Sequence, residues 1–226
     1  MNDNAWHTGP LLGFDTETTG VDPLKDRIVT AAIVDGADVS RWLLDPGVEI
    51  PAGASAVHGI STEHARANGL PPSEALPEIA AALTKAAQES IPVVAYRAAF
   101  DLTLLSSELD RHGLPQVPWS DLRVVDPYVL DKRVDKWRRG KRTLSAVTEH
   151  YGVVLEEAHT AAADARAAVG VARAIGMKYP KVAAMSVAEL HANQVTWHAE
   201  DAASLEAYFR RQGRQEAIDR RWPLQL

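Results

Sequence analysis

The stretch LLGFDTETTG, residues 11–20, decides the fold of this chain. It is apolar up to Phe14 and then carries two acids, Asp15 and Glu17, before it ends in glycine. An apolar run that ends in polar residues and glycine is typical of a buried strand followed by a loop. Because side chains two positions apart on a strand point to the same face, we expect both carboxylates side by side at the strand end.

The segments that follow predict the rest of the sheet and its helices. Residues 27–34 and 39–44 alternate in the way strands do around the turn Asp35-Gly36, which predicts a meander with the first strand. A loop rich in proline and glycine, residues 45–59, comes next. Further strands are predicted at 91–96 and 122–126, and helices at 61–68, 72–89, 100–112, 144–151 and 161–175. This order predicts an α/β fold with a mixed five-stranded sheet, part antiparallel and part parallel, flanked by helices.

Composition limits the possible classes of protein. A chain of 226 residues can bury a core without disulfides. The absence of cysteine excludes thiol nucleophiles and zinc–thiolate sites, and it fits the cytoplasmic location that we expect. No apolar run approaches a membrane span, so we expect no membrane association. The net charge of -6 means that any nucleic acid must meet a local basic patch.

The pair Asp15 and Glu17 predicts a bound cation. Two anions on one strand repel each other, and burial raises their pKa values unless positive charge lies between them. Oxygen ligands without cysteine favour Mg²⁺ or Mn²⁺ over zinc. The alternative is that the two acids lie on a solvated strand end, and the pattern Asp-x-Glu by itself does not decide between them.

A further acid and a histidine lie at the starts of two predicted helices. Asp101 falls in the first turn of one helix, where an acid is also favoured by the helix dipole without any function. In the run HTAAAD, residues 159–164, the histidine and the aspartate are five positions apart and cannot share a helix face. We therefore expect Thr160 to cap the helix, Asp164 to lie in its first turn and His159 to lie on the loop before it. An ordinary loop histidine is the alternative.

The order of these residues along the chain resembles that of the DEDDh exonucleases. This superfamily includes the proofreading subunit of bacterial DNA polymerase III, ribonuclease T and oligoribonuclease. The resemblance runs from Leu12 to Ile175 and includes segments 56–60 and 143–152. It implies an RNase H-like fold in which four acids bind two Mg²⁺ or Mn²⁺ ions and His159 is the general base. These acids are Asp15, Glu17, Asp101 and Asp164.

The resemblance also implies a reaction and a set of substrate contacts. We expect hydrolysis of single-stranded nucleic acid from its 3′ end, DNA being favoured, with release of nucleoside 5′-monophosphates. An RNA-directed exonuclease, a non-catalytic polymerase accessory protein and a proofreading module that acts with a separate polymerase or repair partner are the alternatives. The expected substrate contacts are Thr16, Thr18, His58, Arg97 and Phe100.

Two features fall outside the family pattern. The sequence Tyr96-Arg97 replaces the His-Asn that relatives usually carry before the Ala-x-Phe-Asp run, so Arg97 either contacts phosphate or points to solvent. The segment Lys132–Arg142 concentrates cations around Trp137 and is either a guide for phosphates or a solvated basic loop.

We expect residues 1–180 to form the exonuclease domain. Residues 181–226 are expected to form a helical C-terminal extension that packs on it through the apolar residues Leu190, Trp197, Leu205, Tyr208 and Phe209.

Overall fold

A mixed sheet forms the centre of the protein in a computed structural model, which describes residues 5–156 and 158–226. In these ranges the sheet has five strands in the order β3-β2-β1-β4-β5. The pairs β1–β2 and β2–β3 are antiparallel, and β1–β4 and β4–β5 are parallel, as the sequence predicts. The strands are β1 (Leu12–Thr18), β2 (Ile28–Asp35), β3 (Asp38–Leu43), β4 (Val93–Val94) and β5 (Val124–Val125).

Helices cover this sheet and extend beyond it. They are α1 (Ala52–His58), α2 (Thr62–Asn68), α3 (Pro72–Gln88), α4 (Ala98–Arg111), α5 (Pro127–Val134), α6 (Leu144–Tyr151), α7 (Ala161–Lys178), α8 (Pro180–Ala183) and α9 (Val187–Arg211). The first of these lies inside the predicted loop 45–59, which is therefore partly helical. The helix α5 also follows β5 where no helix is predicted, with Asp126 as its N-cap and Pro127 at its first position.

Close contact between β1 and α7 depends on Gly13. A Cβ atom at this position would lie 2.8 Å from the backbone oxygen of Ala165 and 2.9 Å from a methyl group of Val169. Any larger residue would push α7 away from the strand that carries Asp15 and Glu17. The sequence of β1 thus sets the distance between the strand acids and the first turn of α7.

The parallel half of the sheet is short, and side chains of α9 complete its edge. His191 Nδ1 accepts a hydrogen bond from the N–H of Val124 (3.0 Å), and the Gln194 amide donates to the carbonyl of Val124 (2.9 Å). Gln194 Oε1 also accepts from the N–H of Asp126 (2.7 Å). These bonds satisfy backbone groups that an edge strand would otherwise expose.

The C-terminal extension is helical, as predicted, but only part of its predicted apolar surface is buried. Leu190 and Trp197 pack into the core, whereas Leu205 and Tyr208 are 36% and 50% exposed. The last turns of α9 are thus more exposed than its first half, and packing of the extension through all five apolar residues stays a prediction. Among the described helices, none is both long enough and apolar enough to span a bilayer.

Candidate active site

Three carboxylates meet at the end of β1. Asp15 and Glu17 project from the strand, Asp164 lies in the first turn of α7, and one oxygen from each lies within 4.8 Å of the others. Bonds from a hard cation to carboxylate oxygens are about 2.0–2.6 Å long, so oxygens on opposite sides of one ion are about 4–5 Å apart. The spacing of this group therefore fits a divalent cation.

The electrostatics of the three acids point the same way. Burial and repulsion from Asp101, Asp164 and Glu17 raise the pKa of Asp15 well above its usual value. Burial and repulsion from Asp164 and Asp101 raise the pKa of Glu17 to about 7, and burial raises the pKa of Asp164.

One oxygen of this group lacks any internal partner. Asp164 Oδ1 is buried and accepts no hydrogen bond from the described residues. A buried oxygen in this state is unfavourable unless a ligand satisfies it. The charge, the spacing and this oxygen together fit a bound cation.

Asp101 lies beside this group and is held by β1 itself. The strand β1 projects beyond the short strand β4, and the N–H of Thr16 donates to Asp101 Oδ1 (3.0 Å). The Thr16 hydroxyl donates to the same oxygen (2.6 Å), which leaves Oδ2 as the oxygen that can turn towards a cation. Burial raises the pKa of Asp101 to about 7, and the bonds from Thr16 oppose this rise. Asp101 is thus fixed in place, outside the group of three carboxylates that lie within 4.8 Å.

Asp126 supports the helix that carries Asp101, and sequence reasoning missed it. Its carboxylate accepts from the N–H groups of Arg97 and Ala98 at the start of α4 (both 3.0 Å) and of Tyr128 in α5 (2.9 Å). The indole N–H of Trp222 also approaches it at 3.4 Å. The only sequence signal is an acid between a strand and Pro127, which is typical of a helix N-cap.

His159 lies on the loop before α7, as predicted, and its side chain is exposed. Its backbone has φ 71°, in the left-handed region that residues other than glycine adopt at a cost. Together with Glu17 and His58 it lines a pocket of about 230 Å³, whose walls also include Arg41 and Trp42 of β3. The structure therefore places the histidine and one of the cluster's acids at the same pocket.

The predicted substrate contacts lie around this site. His58 Nδ1 accepts a hydrogen bond from the N–H of Ile60 (3.1 Å). Burial lowers the pKa of the His58 ring, and a hydrogen bond with the backbone of Thr18 acts in the opposite direction. The hydroxyl of Thr18 donates to the carbonyl of Gly20 (2.6 Å). Phe100 is half-buried in the first turn of α4.

The remaining two predicted contacts have structural roles. Thr16 is buried and holds Asp101 through both of its hydrogen bonds. Arg97 is the N-cap of α4 with φ 63°, and its guanidinium stacks over the ring of Tyr128 at 4.6 Å. That all five residues contact substrate stays a prediction.

Comparisons with known proteins agree with this architecture. A model of the exonuclease family (RNase_T) matches residues 12–172. The DNA polymerase III subunit epsilon-like protein of Rhodobacter capsulatus is 37% identical over 161 residues, 67% of this chain and 21% of the relative. The PolC-type DNA polymerase III of Streptococcus sanguinis is 28% identical over 162 residues, 68% of this chain and 10% of the relative. The chain thus spans about a fifth or less of these curated relatives.

The fold of the chain also matches a solved structure. E. coli Exonuclease I in complex with a dT13 oligonucleotide superposes with a TM-score of 0.65 at 21% identity, over 77% of this chain and 42% of that one. The mixed sheet with acids at the end of its first strand defines an RNase H-like nuclease fold. The chain belongs to the exonuclease family that its sequence matches, of the DEDDh 3′-to-5′ type.

Proposed function

We propose that this protein is a metal-dependent 3′-to-5′ exonuclease that removes nucleoside 5′-monophosphates from single-stranded nucleic acid, with DNA favoured over RNA. The observation that carries the proposal is the group of Asp15, Glu17 and Asp164 oxygens within 4.8 Å of one another. The pocket lined by Glu17, His58 and His159 lies beside it and is open to a strand end.

The four acids are proposed to hold two Mg²⁺ or Mn²⁺ ions. Asp15, Glu17 and Asp164 would hold one, and Asp101 would extend the set towards a second through the oxygen that Thr16 leaves free. When bound, such ions neutralise the charge of the phosphodiester and polarise its P–O bonds. Carboxylates of raised pKa bind cations only after they lose their protons, so metal binding is coupled to pH.

His159 acts as the general base in this proposal. Histidine is the side chain that exchanges protons near neutral pH, and the exposed loop position allows its ring to reach a water molecule in the site. The oxygen of that water attacks the phosphorus, its proton passes to the imidazole, and the bond from phosphorus to the 3′ oxygen breaks. The released nucleotide keeps the phosphate, and the 3′ oxygen of the shortened strand takes up a proton from solvent and becomes a hydroxyl.

The pocket of about 230 Å³ is proposed to hold the terminal nucleotide. His58, Thr18 and Phe100 would contact its base and sugar, while Thr16 contributes through Asp101. The preference for DNA is supported by the likeness to an epsilon-like DNA polymerase III protein and to an exonuclease solved with a DNA oligonucleotide. A separate polymerase or repair protein is the corresponding partner, and a cytoplasmic location remains the prediction made from the sequence.

A time course on 5′-labelled single-stranded DNA and RNA of one sequence tests the proposal. We expect a ladder that shortens from the 3′ end with Mg²⁺ or Mn²⁺, stops with chelator and disappears in Asp15→Ala. The DNA ladder should be the faster one, and a faster RNA ladder would assign the alternative of an exoribonuclease. Absence of any ladder with either metal would contradict the proposal and favour the accessory role.

A further inference from the structure

We propose that a groove between α5 and α9 binds the part of the single-stranded substrate that lies upstream of the scissile bond; this inference rests on the proposed function. The groove has a volume of about 420 Å³. We call it the basic groove, and its lining includes the cations Lys132, Lys136 and Arg142, the ring of Trp137, and the acids Glu200 and Asp201 on α9.

The cations around the basic groove fall into two sets. Arg138 and Arg142 form ion pairs with the buried carboxylate of Asp131. The hydroxyl of Tyr96 also donates a hydrogen bond to the backbone carbonyl of Arg142 (2.7 Å). Both guanidinium groups are held in place by this one carboxylate of Asp131. We therefore restrict the hypothesis that the segment Lys132–Arg142 guides phosphates to its other cations, because these two arginines hold the loop in place.

A second set remains available to a ligand. Lys136 lines the groove, and Arg139 and Lys141 follow on the same loop, outside the residues that line it. All three are exposed, and within the described residues none of them forms an ion pair. Lys132 and Arg133 have carboxylate partners on α9, Asp201 and Glu200, so they add little net charge. On a protein of net charge -6, three unpaired cations on one short loop form a local site for an anion.

Trp137 adds a surface for stacking. Its side chain is 86% exposed, and the Lys136 ammonium lies 5.3 Å from the centre of its ring. An exposed tryptophan between cations is costly in water but suits a strand of bases and phosphates. Single-stranded nucleic acids are bound by this combination of aromatic platforms and cations without base-specific hydrogen bonds.

A relay of side-chain contacts connects the basic groove with the active site. Tyr128 lines the groove, Arg97 stacks on Tyr128 at 4.6 Å, and Arg97 caps the helix whose first turn carries Asp101. A strand with its 3′ end at the acids would therefore pass Arg97 before it enters the groove. An acidic peptide would match the charge, but it would have no reason to follow a path that starts at the carboxylates.

The test compares a long and a short substrate in the variant Lys136→Ala/Arg139→Ala/Lys141→Ala. For a 20-nucleotide DNA strand, we expect KM to rise about tenfold and its dependence on salt to flatten by about two units of log–log slope, because three phosphate contacts are lost. For a dinucleotide, which is too short to reach the groove, kcat and KM should be unchanged. Trp137→Ala should raise KM for the long strand by roughly tenfold with the salt slope unchanged.

The matched control is the variant Lys85→Ala/Lys178→Ala/Lys181→Ala. It also removes three cations, but at the end of the sheet and of α7 that lies away from the active site. Its KM and salt slope for the long strand should equal those of the wild type. Unchanged KM and slope in the groove variant would overturn the groove, whereas absence of cleavage of both substrates by the wild type would overturn the proposed function. Binding of a 5′-fluorescein strand, measured by anisotropy without cleavage, separates these two failures.

Discussion

The helices α4 and α7 both begin at the active site with an acid in the first turn, but they hold that acid in opposite ways. Asp101 of α4 is 4% exposed and receives two hydrogen bonds from Thr16 on one oxygen. Asp164 of α7 has a buried oxygen with no partner among the described residues, and the exposed His159 precedes its helix. One oxygen of Asp101 is held by two hydrogen bonds, whereas one buried oxygen of Asp164 receives none from the described residues.

This difference separates structural from chemical requirements. The start of α4 is fixed by Asp126. Asp126 is in turn held by Gln194 of α9 and contacted by Trp222 of the C-terminal segment. The start of α7 combines a close contact at Gly13 with a loop residue at positive φ. We expect changes at α7 to affect chemistry and metal binding, and changes at the support of α4 to affect stability and activity together.

The largest effect should come from Asp164→Asn. We expect kcat to fall by about 10³-fold or more, because a cation ligand is lost, while the metal-free protein keeps its Tm because a repelling charge is removed. Steady-state kinetics and thermal unfolding with and without Mn²⁺ measure both. Asp38→Asn, the same change at the exposed first residue of β3, is the control. A metal-induced rise in Tm that survives in Asp164→Asn would contradict its role as a ligand.

His159→Ala should lower kcat by about 10²–10³-fold, because the general base is lost. The rise in Tm with Mn²⁺ should remain, since the acids are intact. His64→Ala on the exposed face of α2 serves as the control. If His159→Ala also abolished the response of Tm to metal, the histidine would be a ligand and not the base.

Asp126→Asn tests the support of α4. An amide offers one acceptor oxygen where the carboxylate offers two, so one N–H at the start of α4 loses its partner. We expect the free energy of unfolding to fall by about 2 kcal/mol and kcat to fall by about tenfold. Urea unfolding and kinetics measure these changes. A stability loss with unchanged kcat would show that Asp126 supports the fold without positioning Asp101.

The smallest effect concerns pH in the metal-free protein. Because the folded state raises the pKa of Glu17 to about 7, it binds more protons than the unfolded chain between about pH 4.5 and 7. The contribution of Glu17 to stability is therefore present below this range and is lost as the pH rises through it. Solvent screens this half-buried group, so we expect only about 1 kcal/mol less stability at pH 8 than at pH 5, relative to Glu17→Gln. Parallel curves for the two proteins would contradict this.

The sequence predicts those parts of the site that depend on local periodicity. The strand pattern around Asp15 and Glu17 predicts two neighbouring carboxylates, and the spacing of His159 and Asp164 predicts a histidine on the loop before a helix. Each of these predictions follows from the geometry of one strand or one helix, so a single sequence is enough to make it. The match to the exonuclease family over residues 12–172 confirms the family resemblance.

Contacts between distant segments could not be predicted in this way. Asp126 contacts Trp222, which lies 96 positions later, and the buried Asp131 uses the charges of Arg138 and Arg142. From the sequence alone those arginines look like free cations. Whether they are paired depends on which carboxylate the fold buries next to them. The helix α1 was missed because proline and glycine in its neighbourhood indicate a loop, although Pro51 is its N-cap and Gly59 its C-cap.

Anomalous diffraction from crystals grown with Mn²⁺ and a nucleoside 5′-monophosphate tests the central claim most directly. We predict two manganese peaks among Asp15, Glu17, Asp101 and Asp164, with the nucleotide in the pocket lined by His58 and His159. In Asp164→Asn, at least one of the peaks should disappear. Crystals of the wild type with no manganese at these acids, at concentrations that saturate any activity, would contradict the account.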